Sequence, residues 1–183
     1  MRLYAAIDLH SNNSVLVILD EEDKIVYERR HPNELPVILD HLAPYKERIT
    51  AIAVESTFNW YWLVDGLIDA GYTVKLVNTA AVKVYEGLKY TGDEHDARHL
   101  AHLLRLGVLP TGHIHPKEDR AIRDLLRKRS QLVRYRTMQI LSIQNLVIRN
   151  SGKRINTDGV RKLNDETISQ FCGGDAVLAL AIK

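Results

Sequence analysis

Asp93 and Asp96 stand three residues apart in Thr91-Gly92-Asp93-Glu94-His95-Asp96-Ala97-Arg98-His99-Leu100. Gly92 breaks structure, and Ala97, Leu100, Ala101, Leu103 and Leu104 then recur at helical spacing, which predicts a helix beginning near Asp93. Its first turn would carry both carboxylates on one face. Acids that close repel unless a cation lies between them or one holds a proton. Acids also favour a first helical turn for its dipole alone, so the pair gains meaning only from acids elsewhere. Asp8 closes the apolar run Leu3 to Ile7, and Glu55 follows the buried-type run Ile49 to Val54. Four carboxylates form an oxygen-only set that suits the hard cations Mg²⁺ or Mn²⁺. Two such ions about 4 Å apart can activate a nucleophilic oxygen and stabilise a leaving one in phosphodiester cleavage. Glu94 is an alternative ligand, but it points about 100° away from Asp93 on the helix.

The histidines near these acids support a second chemistry less well. His95, His99 and His102 follow spacings of four and three, and a pair at i, i+4 can bind zinc. No thiolate joins them, and the expected reading is polar helix surface. His10, two residues after Asp8, can point to the same sheet face as that acid. His113 and His115 read as linker residues. After Glu55 comes Ser56-Thr57-Phe58-Asn59-Trp60-Tyr61-Trp62, whose aromatics could stack on bases or ribose. Trp60 reads mostly as core.

The elements that must position these residues follow from the patterning. Leu3–Asp8, Val15–Leu19 and Ile25–Arg30 are strand candidates joined by the turns Ser11-Asn12-Asn13-Ser14 and Asp20-Glu21-Glu22-Asp23, which predicts an antiparallel meander. Asn33 reads as the cap of a helix with Leu35, Ile38, Leu39 and Leu42 on one face. The buried strand Ile49–Val54 follows, then a helix through Trp60, Leu63, Val64, Leu67 and Ile68 that Gly71 closes. A fifth strand spans Tyr72–Val77, and Asn78 or Thr79 caps a short helix through Leu88. The helix of Asp93 ends at Gly107. The order β-β-β-α-β-α-β-α-α is that of a ribonuclease H-like α/β fold, a mixed five-stranded sheet flanked by helices. In such a fold strands one and four are central neighbours. Asp8 and Glu55 then end adjoining strands, with Asp93 and Asp96 brought over them, and Asp8 is the natural bridging ligand.

With 183 residues, 45% of them apolar, the chain can fill a core. No run approaches the roughly 20 apolar residues of a membrane span. The N-terminus enters Leu3-Tyr4-Ala5-Ala6-Ile7 with one basic residue ahead, which does not read as a signal peptide. The lone Cys172 allows no internal disulfide or cysteine-rich zinc module and fits a reducing cytoplasm. Net charge is +2 but unevenly spread. Lys117, Arg120, Arg123, Arg127, Lys128, Arg129, Arg134 and Arg136 form a basic block that can bind nucleic acid, or simply a solvated helix face. The expected domains are 1–108, a linker 109–116 bounded by prolines, a long basic helix 117–152 and a partial helical tail 153–183. Along the long helix Leu126, Val133, Ile140 and Val147 recur every seven residues, with Leu125, Leu132 and Leu146 beside them. This predicts a helical hairpin or a coiled coil between chains. The tail holds one amphipathic helix, Val160 to Phe171, and its apolar end, Ala176 to Ile182, reads as a larger protein cut short.

Three segments, Ala6-Ile7-Asp8-Leu9-His10, Ala53-Val54-Glu55-Ser56-Thr57 and Asp93-Glu94-His95-Asp96-Ala97-Arg98-His99-Leu100-Ala101, together resemble the DEDD transposases of the Piv/MooV type. These are RNA-guided recombinases of bacterial and archaeal insertion sequences, with an N-terminal domain similar to the RuvC Holliday-junction resolvase. Ile122 to Val133 resembles the family segment that follows the catalytic domain, so the likeness covers residues 1 to about 152. The resemblance implies that Asp8, Glu55, Asp93 and Asp96 are the DEDD tetrad and hold Mg²⁺ (Mn²⁺ as the alternative). It implies that the long helix assembles a dimer or tetramer, and that the partners are DNA and a structured bridge RNA in a bacterial or archaeal cytoplasm. Strand exchange in the family also needs a serine in a separate C-terminal domain. No segment here matches that motif, and Ser142, Ser151 and Ser169 have no support as nucleophiles. Where the family usually reads Lys-Thr-Asp before its last acids, this chain has Lys89-Tyr90-Thr91-Gly92-Asp93. The chain therefore reads as the N-terminal part of a transposase, able to bind metal and nucleic acid and unable to complete recombination.

Other classes remain. A stand-alone RuvC-like nuclease or resolvase needs only the tetrad and metal. A non-catalytic dimeric nucleic-acid-binding module needs only the basic helix. An actin-like ATPase shares the sheet order, but Asp8-Leu9-His10-Ser11-Asn12-Asn13-Ser14 has no glycine to admit a phosphate to the backbone.

Overall fold

Strand β1, Leu3–Leu9, is buried along almost its whole length because it lies at the centre of a five-stranded sheet. The computed structural model describes residues 1–82 and 93–183, the side chains of residues 93 and 94 excepted. β2 (Asn13–Leu19) and β3 (Ile25–Pro32) continue from β1 as an antiparallel meander. Helix α1 (Leu35–Leu42) and a 3-10 segment (Ala43–Arg48) return the chain to β4 (Ile49–Glu55), which pairs parallel with β1. Helix α2 (Tyr61–Asp69) leads to β5 (Val74–Val77), parallel to β4. The order is β3-β2-β1-β4-β5, so the ribonuclease H-like fold read from the patterning is the fold observed.

Side-chain alternation divides the core between the two faces. Ile7, Leu9, Leu16, Ile18, Ile52 and Val54 pack toward α1 and α2. Ala6, Val15, Val17, Ala53 and Val77 pack with Val82 and with Ala97, Leu100, Ala101 and Leu103 of helix α4 (Asp93–Leu106). Gly107, at φ 71°, ends α4 in the left-handed conformation that glycine adopts without strain. The short helix capped at Asn78 or Thr79 is present as α3 (Thr79–Val82), and its expected continuation to Leu88 lies outside the described residues, as does Gly92. Residues 110–112 run along β5: Asn78 N donates to Pro110 O at 2.9 Å and Gly112 N to Leu76 O at 2.7 Å.

One expected cap is corrected. Asn33 does not cap α1, whose N-cap is Glu34 without a side-chain hydrogen bond. The Asn33 amide instead donates to His10 O at 2.9 Å, and Pro36 sets the first turn where a missing N–H costs nothing.

By its contacts the chain divides into two compact units, Met1–Ile114 and His115–Lys183. The second is built on α5 (Lys117–Ser151), 35 residues and about 52 Å long at 1.5 Å per residue. Only the end of its heptad stripe is covered: Leu126 is 56% exposed, Val133 38% and Val147 1%. Val147 packs with Ile168, Cys172 and Ile182, from α7 (Asp165–Cys172) and α8 (Ala176–Ile182). The single tail helix expected from Val160 to Phe171 is in fact two, α6 (Thr157–Arg161) and α7. Asn164 and Thr167 form a reciprocal capping box that starts α7 and so breaks the run.

Candidate active site

Ile7 pairs with Val54 across the parallel β1–β4 ladder, so the next residues, Asp8 and Glu55, end neighbouring strands side by side. Alternation turns both toward the α4 face, opposite to Ile7 and Val54. Asp8 is 2% exposed. The carboxyl of Glu55 is raised from its ordinary 4.5 to about 8, first by burial, then by a hydrogen bond with Asp8, then by the negative charges of Asp8 and Asp96. Two of the expected acids, Asp8 and Asp96, thus act on a third, Glu55. Asp93 opens α4 as the sequence predicts, and its side chain lies outside the described residues.

The loop after β1 is built around His10. Its Nε2 lies 3.2 Å from Asp8 Oδ2, as the alternation argument anticipates. Its carbonyl accepts from Asn33 Nδ2 at 2.9 Å and from Asn59 Nδ2 at 3.0 Å. Asn59 is steadied in turn by Thr57, whose hydroxyl donates to Asn59 Oδ1 at 2.9 Å. Two amides therefore tie the end of β1 to other segments, Asn33 to the loop after β3 and Asn59 to the loop after β4. Between the anchored residues Thr57 and Asn59, Phe58 stands 84% exposed, whereas Trp60 is 5% exposed and belongs to the core.

Beside the acids is a cavity of about 110 Å³ lined by Glu55, Asp96, His99, Thr79 and the apolar side chains Val77, Val82 and Leu100. That space admits a few water molecules at about 30 Å³ each. His99 was expected to be plain helix surface. It is instead on the cavity wall one turn after Asp96, and the i, i+3 spacing was the only signal for it. His102 is bound to Asp23, at 2.9 Å from Nδ1 to Oδ2, and His95 is exposed.

Oxygen donors that share a hydrogen bond fit a hard divalent cation, which would take the place of the proton on Glu55. Among the described residues, no three His, Cys, Asp or Glu side chains already stand at metal-ligand spacing. Of the eight basic residues expected to meet nucleic acid, Arg120 is 7% exposed and its Nε donates to His115 O at 2.8 Å, while the other seven are exposed or half-buried along α5.

A ribonuclease H-like sheet with acids on adjoining strand ends and a further acid on the crossing helix defines the class. Among solved structures the chain is similar to T. thermophilus RuvC in complex with a Holliday junction substrate, at 18% identity and a TM-score of 0.47, covering 61% of this chain and 100% of that one. It is also similar to the large terminase nuclease from thermophilic phage G20c, at 15% identity and a TM-score of 0.37, covering 60% and 56%. No curated protein matches the sequence. A family model described as transposase, of the DEDD type found in IS110 elements, matches residues 5–149. The chain belongs to that DEDD transposase family.

Proposed function

We propose that Met1–Ile114 is the catalytic domain of an insertion-sequence transposase that cuts DNA strands with Asp8, Glu55, Asp93 and Asp96 as its acids. The observation that carries this is the convergence of Asp8 and Asp96, from separate segments, on Glu55 at the ends of the central strands. Those four residues would hold Mg²⁺ or Mn²⁺, which when bound supplies Lewis acidity toward the oxygens of a phosphodiester. Asp8, on the central strand and 3.2 Å from His10, is the most buried of the described donors. Burial and the neighbouring acids favour the protonated form of Glu55, and a bound cation would favour its carboxylate. Phe58 offers a flat apolar face to an unpaired base, at a place fixed relative to Glu55 by the Thr57 and Asn59 bonds.

The second unit fits assembly and nucleic-acid binding. Leu125 is 69% exposed and Leu132 55%, beside Lys128, Arg129 and Arg136. Such a mixed stripe suits a second copy of the helix together with a polyanion. Guidance by a bridge RNA, and dependence on a serine carried by another domain, follow from the family likeness. The test is cleavage of supercoiled or branched DNA by the full chain with Mg²⁺, compared with Asp8→Asn. Cutting that Asp8→Asn abolishes supports the reading. Equal nucleic-acid binding by both proteins with no cutting by either would leave a binding module in its place.

A further inference from the structure

Helix α4 packs on the sheet with Ala97, Leu100, Ala101 and Leu103. Ala97 and Ala101, both fully buried, lie with Ala6, Val15, Val17 and Ala53. On the flank of Ala97 and Ala101, away from Asp96, the contact is made by small residues, which interdigitate little and by themselves resist rolling of the helix weakly. Asp96 lies on one flank of α4. Arg98, His102 and Arg105 fall within an arc of about 60° on the other flank, roughly 150° around from Asp96 at 100° per residue.

All three basic residues reach the β2–β3 hairpin. Arg98 makes a forked pair with Glu28 of β3, Nε to Oε1 at 2.8 Å and Nη2 to Oε2 at 2.6 Å. Arg105 Nε donates to Asp23 Oδ1 at 2.6 Å, its Nη2 to Asp23 Oδ2, and its Nη1 to Glu21 O at 3.2 Å. His102 shares the same Asp23 carboxylate. Asp23 sits in the turn at φ 62°, a conformation aspartate tolerates. The turn is held in its own right by Asp20 Oδ1, which accepts from Glu22 N and Lys24 N at 2.8 and 3.0 Å.

We propose that these two ion pairs, two helical turns apart, form a latch that sets the roll of α4 and thereby the position of Asp96 against Glu55. Glu28, Arg98, Asp23 and Arg105 are then positioning residues for the site, a role that rests on the function proposed above. Ion pairs open to solvent, as these partly are, contribute little stability, so their value here lies in direction. Forked guanidinium–carboxylate pairs fix orientation as well as distance. A roll of 20° moves a carboxyl about 6 Å from the helix axis by about 2 Å, and displacements near 1 Å already cost about a hundredfold in rate.

The test is calorimetric titration of Mn²⁺ into the full chain, with amide exchange of residues 97–101 measured on the same samples. The proteins are wild type, Glu28→Gln, Asp23→Asn, the two combined, and the swap Glu28→Arg with Arg98→Glu. Asp23→Asn keeps a residue that accepts positive φ. The combined variant is expected to keep its circular dichroism, bind Mn²⁺ about tenfold more weakly and exchange faster in α4. The swap is expected to restore both readouts to near wild type. Wild-type affinity and exchange in the combined variant would overturn the latch. Should the combined variant fail to fold, each single substitution carries the same comparison. Absence of Mn²⁺ binding by wild type would overturn the proposed function instead. Exchange alone then decides the latch, upheld if α4 loosens and the swap restores it, overturned if neither changes α4.

Discussion

Asp8 and Glu55 end neighbouring parallel strands and share a hydrogen bond between carboxyl groups that are both turned toward α4. Two acids in that position oppose each other once both are charged, and the fold holds them there regardless. The sheet supplies the force: residues 3 to 7 and 52 to 54 beneath them are almost wholly buried, so the strand ends cannot part. Such stored repulsion is a usual feature of catalytic sites.

The repulsion predicts a pH dependence. Between about pH 5 and about pH 8 the folded chain keeps a proton on Glu55 that the unfolded chain releases. Stability of the metal-free protein therefore falls as pH rises through that window and levels off above it. Thermal melts at constant ionic strength check this. Millimolar Mg²⁺ is expected to flatten the slope, because the cation replaces the proton.

Removing one charge should relieve the strain. Glu55→Gln is expected to stabilise the metal-free protein at pH 8 by about 1 kcal/mol, a rise of roughly 4 °C in melting temperature. With Mg²⁺ the order should reverse, since wild type gains a ligand-bound state that the variant lacks. Differential scanning calorimetry with and without Mg²⁺ reads both.

Phe58 is the aromatic whose position is fixed relative to Glu55 and whose ring is open. Phe58→Ala should leave the melting temperature within about 1 °C, since the ring packs on little. Binding of branched or single-stranded DNA should weaken by about 1–3 kcal/mol, the range for loss of one stacked base. Fluorescence anisotropy with labelled oligonucleotides measures it.

Leu125→Asp together with Leu132→Asp puts charge on the open stripe of α5. Multi-angle light scattering is expected to show a smaller assembly than wild type, with helix content retained. An unchanged mass would remove α5 from the interface.

Much of the first unit was legible because β1, β2 and β4 are short apolar runs bounded by turn residues. Asp8 and Glu55 were legible because each acid ends such a run, and the topology makes those runs neighbours. The latch was not, for Arg98 and Glu28 lie seventy positions apart and either looks like ordinary surface charge. His99 was hidden for a related reason: its cavity is closed by Val77, Thr79 and Val82 from other segments, which no periodicity reveals. Asn33 was misread because one amide can cap a helix or hold a distant carbonyl, and only the fold brings His10 within reach. The break between α6 and α7 was readable in Asn164-Asp165-Glu166-Thr167, a capping signal lost in an apolar period that continues across it.

The most direct measurement is calorimetric titration of Mn²⁺ or Mg²⁺ into wild type, Asp8→Asn and Asp96→Asn. The account predicts binding by wild type and a loss of at least about tenfold in each variant. Equal affinity in all three would mean that the carboxylates at the sheet edge do not hold the ion, and the catalytic assignment would fall with them.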